Sequence, residues 1–141
     1  MNRSAIIGLA LSAAFVAGAA NAQELTGTLK NIKETGTITL GHRDTSIPFS
    51  YLDDNQKPIG YAMDICYKIV DAVKKELKLE KLEVRLNPVT SATRIPLMAN
   101  GTIDLECGST TNNADRQKQV AFTNTHFLTA SRFVSKKSSK I

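Results

Sequence analysis

A chain of 141 residues with a formal net charge of +5 has room for one small core and too little for two full domains once a leader is set aside. Its basic residues are scattered, with no basic face carrying interleaved aromatics, which argues against nucleic acid as a partner. Two isolated histidines, His42 and His126, and two cysteines with no zinc spacing give no metal site, and nothing in the composition asks for a cofactor.

Residues 1–22 read as a secretory signal peptide. Asn2-Arg3 is the positive start, Ser4 to Ala17 the apolar run, and Ala20-Asn21-Ala22 the small-x-small cleavage site. The run is interrupted at Gly8, Ser12 and Gly18 and falls short of the roughly 20 apolar residues of a membrane span. Export without membrane insertion is therefore expected. Beyond the leader, Leu25, Leu29 and Ile32 are spaced for a short helix. Ile38 and Leu40 alternate with polar neighbours and predict a strand over 37–41. A loop holding Pro48 follows, then a turn over 53–58.

The clearest helix spans 61–77, where Met63, Cys66, Ile69, Val70, Val73 and Leu77 follow the i, i+3, i+4 rule. Cys66 lies on its apolar face and reads as a small core residue with a free thiol. A Cys66–Cys107 disulfide is the alternative open to an exported protein. A strand over 83–86 ends at Pro88. Ser91 is a candidate N-cap for a helix through Asn100, with Pro96 near its first turn and Asn100-Gly101 as its stop. A strand over 102–107, a short helix over 113–119 and a strand over 127–134 complete the order.

Strands and helices alternate, which predicts an α/β fold with a mostly parallel sheet covered on both sides. Ligands of such sheets bind beyond the carboxyl ends of the strands. Arg43, Ser91, Arg94, Ser109, Thr111 and Arg116 all fall just after a strand. Ser109, Thr111, Arg116 and the free N–H groups of a helix starting near Asn113 would form one anion receptor. Three arginines at element ends suggest a ligand with more than one carboxylate, because a guanidinium fork binds two oxygens at once. Phe49, Tyr51 or Tyr61 would wall the cleft. The plainer alternatives are solvated surface arginines, Ser91 as a cap only, and Asp115-Arg116 as an exposed helix pair. Catalysis has little support. Ser109 lacks the second glycine of a nucleophile elbow, no phosphate or dinucleotide loop is present, and nothing pairs Asp64, Asp104 and Glu106 as acid and base.

Four segments then carry a resemblance. They are Gly41-His-Arg-Asp-Thr-Ser-Ile-Pro-Phe-Ser-Tyr51, Gly60-Tyr-Ala-Met-Asp64, Thr90-Ser-Ala-Thr-Arg-Ile-Pro96, and Asn100-Gly-Thr-Ile-Asp-Leu-Glu-Cys-Gly-Ser-Thr-Thr-Asn-Asn-Ala-Asp-Arg-Gln117. In this order they resemble the polar amino-acid solute-binding proteins of ABC importers, within them the periplasmic branch that binds glutamate and aspartate. The resemblance implies a periplasmic binding protein-like (type II) fold, of which this chain supplies lobe 1 with the second lobe missing. Residues 23–126 would be the incomplete first α/β lobe, and 127–141 the first hinge strand and the start of the missing second lobe. Arg116, Ser109 and Thr111 match positions that hold the ligand's α-carboxylate, and Arg43, Arg94 and Ser91 positions that hold its side-chain carboxylate. The implied partners are glutamate or aspartate and an ABC permease in the inner membrane, with no enzyme activity, and the implied location is the periplasm. Two rivals stay open: a periplasmic dehydratase of the same fold, and a truncated product with no function of its own.

Overall fold

In a computed structural model, residues 25–139 are described. The expected signal peptide lies outside them. Strand β1 (Thr37–His42) is the centre of the fold. Its alternation puts Ile38 and Leu40 on one face, and both are almost wholly buried. On one side it pairs in parallel with β5 (Glu83–Pro88), from Thr37 opposite Glu83 to His42 opposite Pro88. On the other it pairs in parallel with β6 (Leu105–Cys107), from Leu40 opposite Leu105 to His42 opposite Cys107. The sheet order is β5-β1-β6, and Asp104 fastens β6 from outside the ladder, its carboxylate accepting from Thr39 N at 2.8 Å.

Helix α1 (Gly27–Thr35) buries Ile32, and α2 (Tyr61–Glu76) buries Ala62, Met63, Cys66 and Val70. Ile32, Met63, Cys66 and Val70 meet Ile38, Leu40, Leu77 and Cys107 in one cluster on the β1 face that carries Ile38 and Leu40. Gly41 sits beside Ile103 and Val89: a Cβ there would come within 2.6 Å of Ile103 Cδ1. Strand β5 is only half covered; Val84 packs on the cluster, while Leu86 stays 41% exposed.

Four expectations are corrected. The stretch around the Pro48 loop carries a second, antiparallel sheet of β2 (Thr45–Ser46), β3 (Ser50–Leu52) and β4 (Pro58–Ile59), while the expected turn stands between β3 and β4, where Gln56 N donates to Asp53 O at 3.0 Å. Its strands of two or three residues are too short to show a period. The helix expected from Ser91 begins later, as α3 (Arg94–Ala99). The Thr90 and Thr93 hydroxyls bond each other's backbone N–H groups and hold residues 90–93 in a turn, which leaves the Ser91 side chain free of a capping role. Phe127 to Val134 forms no strand; a strand exists only by its ladder partner, and no described segment pairs with it. Finally, the cysteines are not free: Cys66 and Cys107 form a disulfide with Cα atoms 6.1 Å apart, the spacing such a bridge needs. Helical periodicity puts Cys66 in the core, as expected, and the same core position brings it against β6.

The last helix, α4 (Ala114–Gln117), is a single turn. Among the described residues no helix is long and apolar enough to cross a membrane.

Candidate functional site

The carboxyl ends of β1 and β6 lie side by side, so the segments that follow them start from one edge. Arg43 leaves β1 and is tied to the small sheet: its N–H donates to Ser50 Oγ at 2.9 Å, and that hydroxyl, fully buried, donates back to Arg43 O at 3.2 Å. The Arg43 guanidinium donates through Nη1 to Ser91 Oγ at 3.1 Å. Ser91 thus faces Arg43, from the turn before α3.

Arg94 opens α3 and is only 6% exposed. Its Nη1 stands 3.8 Å from Glu106 Oε1 of β6, an ion pair too long for a charge-assisted hydrogen bond. Arg94 Nε and Nη1 and Glu106 Oε1 are buried without a hydrogen-bond partner among the described residues. Burial pushes the Glu106 carboxyl above its ordinary pKa, against the opposing pull of the Thr110 hydroxyl and then of the Arg94, Arg43 and Arg116 guanidiniums. Burial likewise lowers Arg94 from the usual guanidinium value; Glu106 opposes that, and Arg116 and Arg43 add to it. Arg43 and Arg116 therefore act on both members of the Arg94–Glu106 pair. Gly108 makes this crowding possible, since a Cβ there would run into Glu106 Oε1 and come within 3.0 Å of Arg43 Cγ.

The Ser109–Arg116 segment is more self-contained than the sequence reading expects. Ser109 Oγ hydrogen-bonds Ser46 Oγ at 2.8 Å. Arg116 Nη1 donates to the Thr111 carbonyl at 2.8 Å, so Thr111 meets Arg116 through its backbone. The helix start is capped, with Asn113 Oδ1 accepting from Arg116 N at 3.0 Å. The N-terminus of α2 is closed too, because Pro48 O and Phe49 O accept from Tyr61 N and Ala62 N. Gly60 allows this approach with φ at +123°.

A cleft of about 290 Å³ opens between residues 108–112 and 122–129, with Phe49 at its side. Ser109 and Thr111 line it; Arg43, Ser91, Arg94 and Arg116 do not. Phe127 packs edge-on against Phe49 with ring centres 4.8 Å apart, and Tyr61 Oη donates to His126 O at 3.0 Å. Of the aromatics expected to wall a cleft, Phe49 lines this one, Tyr61 pins its far wall from behind, and Tyr51 does not line it. Among the described residues no group of three His, Cys, Asp or Glu side chains could hold a metal ion.

Sequence reasoning weighs Glu106 only as an acid or base without a partner, and it passes over Gly108. The available signal is a single acidic side chain on a strand whose neighbours, Leu105 and Cys107, face the core, directly before a glycine.

Residues 38–141 match the family model of the bacterial extracellular solute-binding proteins, family 3. The chain belongs to this family. It is 60% identical over 137 residues to the L-glutamate/L-aspartate-binding protein of Pseudomonas aeruginosa, covering 96% of this chain and 45% of that relative. It is 49% identical over 138 residues to the glutamate/aspartate import solute-binding protein of Escherichia coli, covering 98% of this chain and 46% of the relative. The chain thus spans about half the length of the curated relatives it matches. A solved structure of domain 1 from TmArgBP, in its arginine-bound form, superimposes with a TM-score of 0.61 at 24% identity, covering 70% of this chain and 71% of that one. That likeness is one of fold. The family 3 member described by residues 25–139 is one α/β lobe of the periplasmic binding protein type, built on the parallel sheet β5-β1-β6.

Proposed function

We propose that this chain forms one wall of a binding site for an acidic amino acid, glutamate or aspartate, in a periplasmic receptor that delivers its ligand to an ABC permease of the inner membrane. The observation that carries the reading is Arg94: a guanidinium 6% exposed, with two buried nitrogens that have no hydrogen-bond partner among the described residues and two further guanidiniums acting on it. A buried cation in such company favours an anion that enters with acceptors for its donors. Arg43 with Ser91, and Arg94, would hold the side-chain carboxylate. Ser109 and Thr111, which line the cleft, would hold the α-carboxylate together with Arg116, which stands outside the cleft lining and donates to the Thr111 carbonyl. The names of the Pseudomonas aeruginosa and Escherichia coli relatives support both the ligand class and a binding rather than a catalytic role.

Titration calorimetry on the full-length protein tests this. Glutamate and aspartate should bind, and Arg94→Ala should weaken them far more than it weakens a neutral amino acid. Losing a charge-assisted pair of this kind costs roughly 2–5 kcal/mol, or about 30- to several-thousand-fold in Kd. Arg116→Ala should weaken every amino acid that binds. Preference for a basic amino acid over glutamate would refute the reading.

A further inference from the structure

The Arg94–Glu106 pair is not a finished salt bridge. At 3.8 Å it leaves Arg94 Nε and Nη1 and Glu106 Oε1 buried and, among the described residues, without a hydrogen-bond partner. A structural ion pair in so dry a place closes to hydrogen-bond distance and fills its remaining donors. This one holds a charge balance while keeping the guanidinium's donors unspent. A ligand carboxylate arriving at Arg94 would take those donors and come to lie against the Glu106 carboxylate. Two carboxylates sharing a buried site do not both stay ionised at low cost.

Resting on the acidic-ligand reading above, we propose that Glu106 is a further residue of the binding site, a resident counter-ion that gives up Arg94 to the ligand's carboxylate by taking up a proton. The proton comes from solvent and joins a Glu106 carboxylate oxygen; no other bond is made or broken. Glu106 acts through Arg94 and is a positioning residue. The groups that face it are Arg94 from α3, Arg43 from the segment after β1, Arg116 from α4 and Thr110 from beyond its own strand. His126 shares a small cavity with it, whose α2 wall of Ala62, Ile65, Cys66 and Ile69 carries no charge. Burial already favours the protonated form of Glu106, so a nearby anion has only to extend an existing tendency.

The test is calorimetry of L-glutamate binding to the full-length protein between pH 5.5 and 8, in buffers of different ionisation heat, which reads protons taken up per ligand bound. The wild-type protein should take up protons and bind several-fold tighter at the acid end, with about tenfold per pH unit as the limit for one proton. Glu106→Gln, an isostere of the protonated acid, should take up none. Its affinity should be flat with pH and at pH 8 should match the wild type's at pH 5.5. Glu106→Asp should restore the uptake, and His126→Gln should leave it unchanged. Absence of proton uptake by the wild type overturns the proposal without recourse to any variant. So does uptake that survives Glu106→Gln or vanishes in His126→Gln, or a Glu106→Gln protein that binds more weakly at every pH. A wild-type protein that binds neither glutamate nor aspartate at any pH overturns the acidic-ligand reading, and this proposal with it.

Discussion

Gly60 and Gly101 both hold backbone conformations in the left-handed half of φ space, at +123° and +76°, but their surroundings differ. A Cβ on Gly101 meets none of the described residues within 4 Å, whereas one on Gly60 would come within 2.7 Å of Phe49 O and Pro48 O. Those two carbonyls satisfy the first N–H groups of α2, so they cannot retreat without opening the helix start. Gly101→Ala should cost only the conformational penalty, about 1 kcal/mol. Gly60→Ala should cost at least about 3 kcal/mol, because overpacking adds to a costlier backbone. Urea unfolding of the two variants checks the order, and equal losses would show that the α2 entry is pliable. Glu106 gives a residue-scale prediction in pH. Its folded carboxyl keeps a proton to higher pH than an ordinary carboxylate. Relative to the unfolded chain, the native state is therefore favoured below the folded pKa, and it loses that advantage as pH rises through it. Glu106→Gln cannot titrate. Removing Arg94's partner displaces its whole stability curve, yet the downward slope just above the ordinary carboxylate range should be present in the wild type and absent in the variant. Parallel curves from denaturant melts across that range would refute this account of Glu106.

The disulfide joins α2 to β6, elements 41 residues apart in sequence, and so anchors the strand that carries Glu106 to the best-packed helix. Closing a loop of that length stabilises by about 4 kcal/mol in the chain-entropy model. Reduction should lower stability by roughly that amount, while Cys66→Ala/Cys107→Ala should melt identically with and without reductant. Two titratable thiols in the unreduced protein would disprove the link. This bond also marks where reading from sequence stops. The period of Met63, Cys66 and Val70 locates the buried face of α2, and the alternation of Ile38 and Leu40 locates β1, because both are local patterns repeated over several residues. That Cys66 meets Cys107 is a distance between elements, and no local pattern encodes it. The β2-β3-β4 sheet is hidden for a related reason, its pairing being non-local and its strands shorter than two periods. At the site, the position of Arg43, Arg94 and Arg116 after strands is visible in the chain order. Which hydroxyl meets which guanidinium is not: Ser91 pairs with Arg43 because the Thr90 and Thr93 hydroxyls hold the turn, and Thr111 reaches Arg116 by its carbonyl.

At the scale of the whole molecule, the described surface is uneven. The β-rich composition of residues 127–134 predicts a strand, yet the segment pairs with none, and Leu128, Phe133 and Val134 stand 86%, 96% and 94% exposed. In the order β5-β1-β6 both outer strands also have an unpaired edge among the described residues. Exposed apolar side chains and open strand edges each favour association, and the net charge of +5 opposes it by repulsion between copies. The balance can be read from salt. Screening weakens the repulsion and leaves apolar contact intact, so the 141-residue chain on its own should self-associate in a concentration-dependent manner, and more strongly as salt rises. Sedimentation velocity over a wide concentration range measures this directly. The Leu128→Ser/Phe133→Ser/Val134→Ser variant should remain monomeric under the same conditions with an unchanged melting temperature, since none of the three side chains contributes to the core. Association that weakens with salt would point instead to ionic contacts, for example through Lys136 and Lys137, and would remove the apolar arm as its cause.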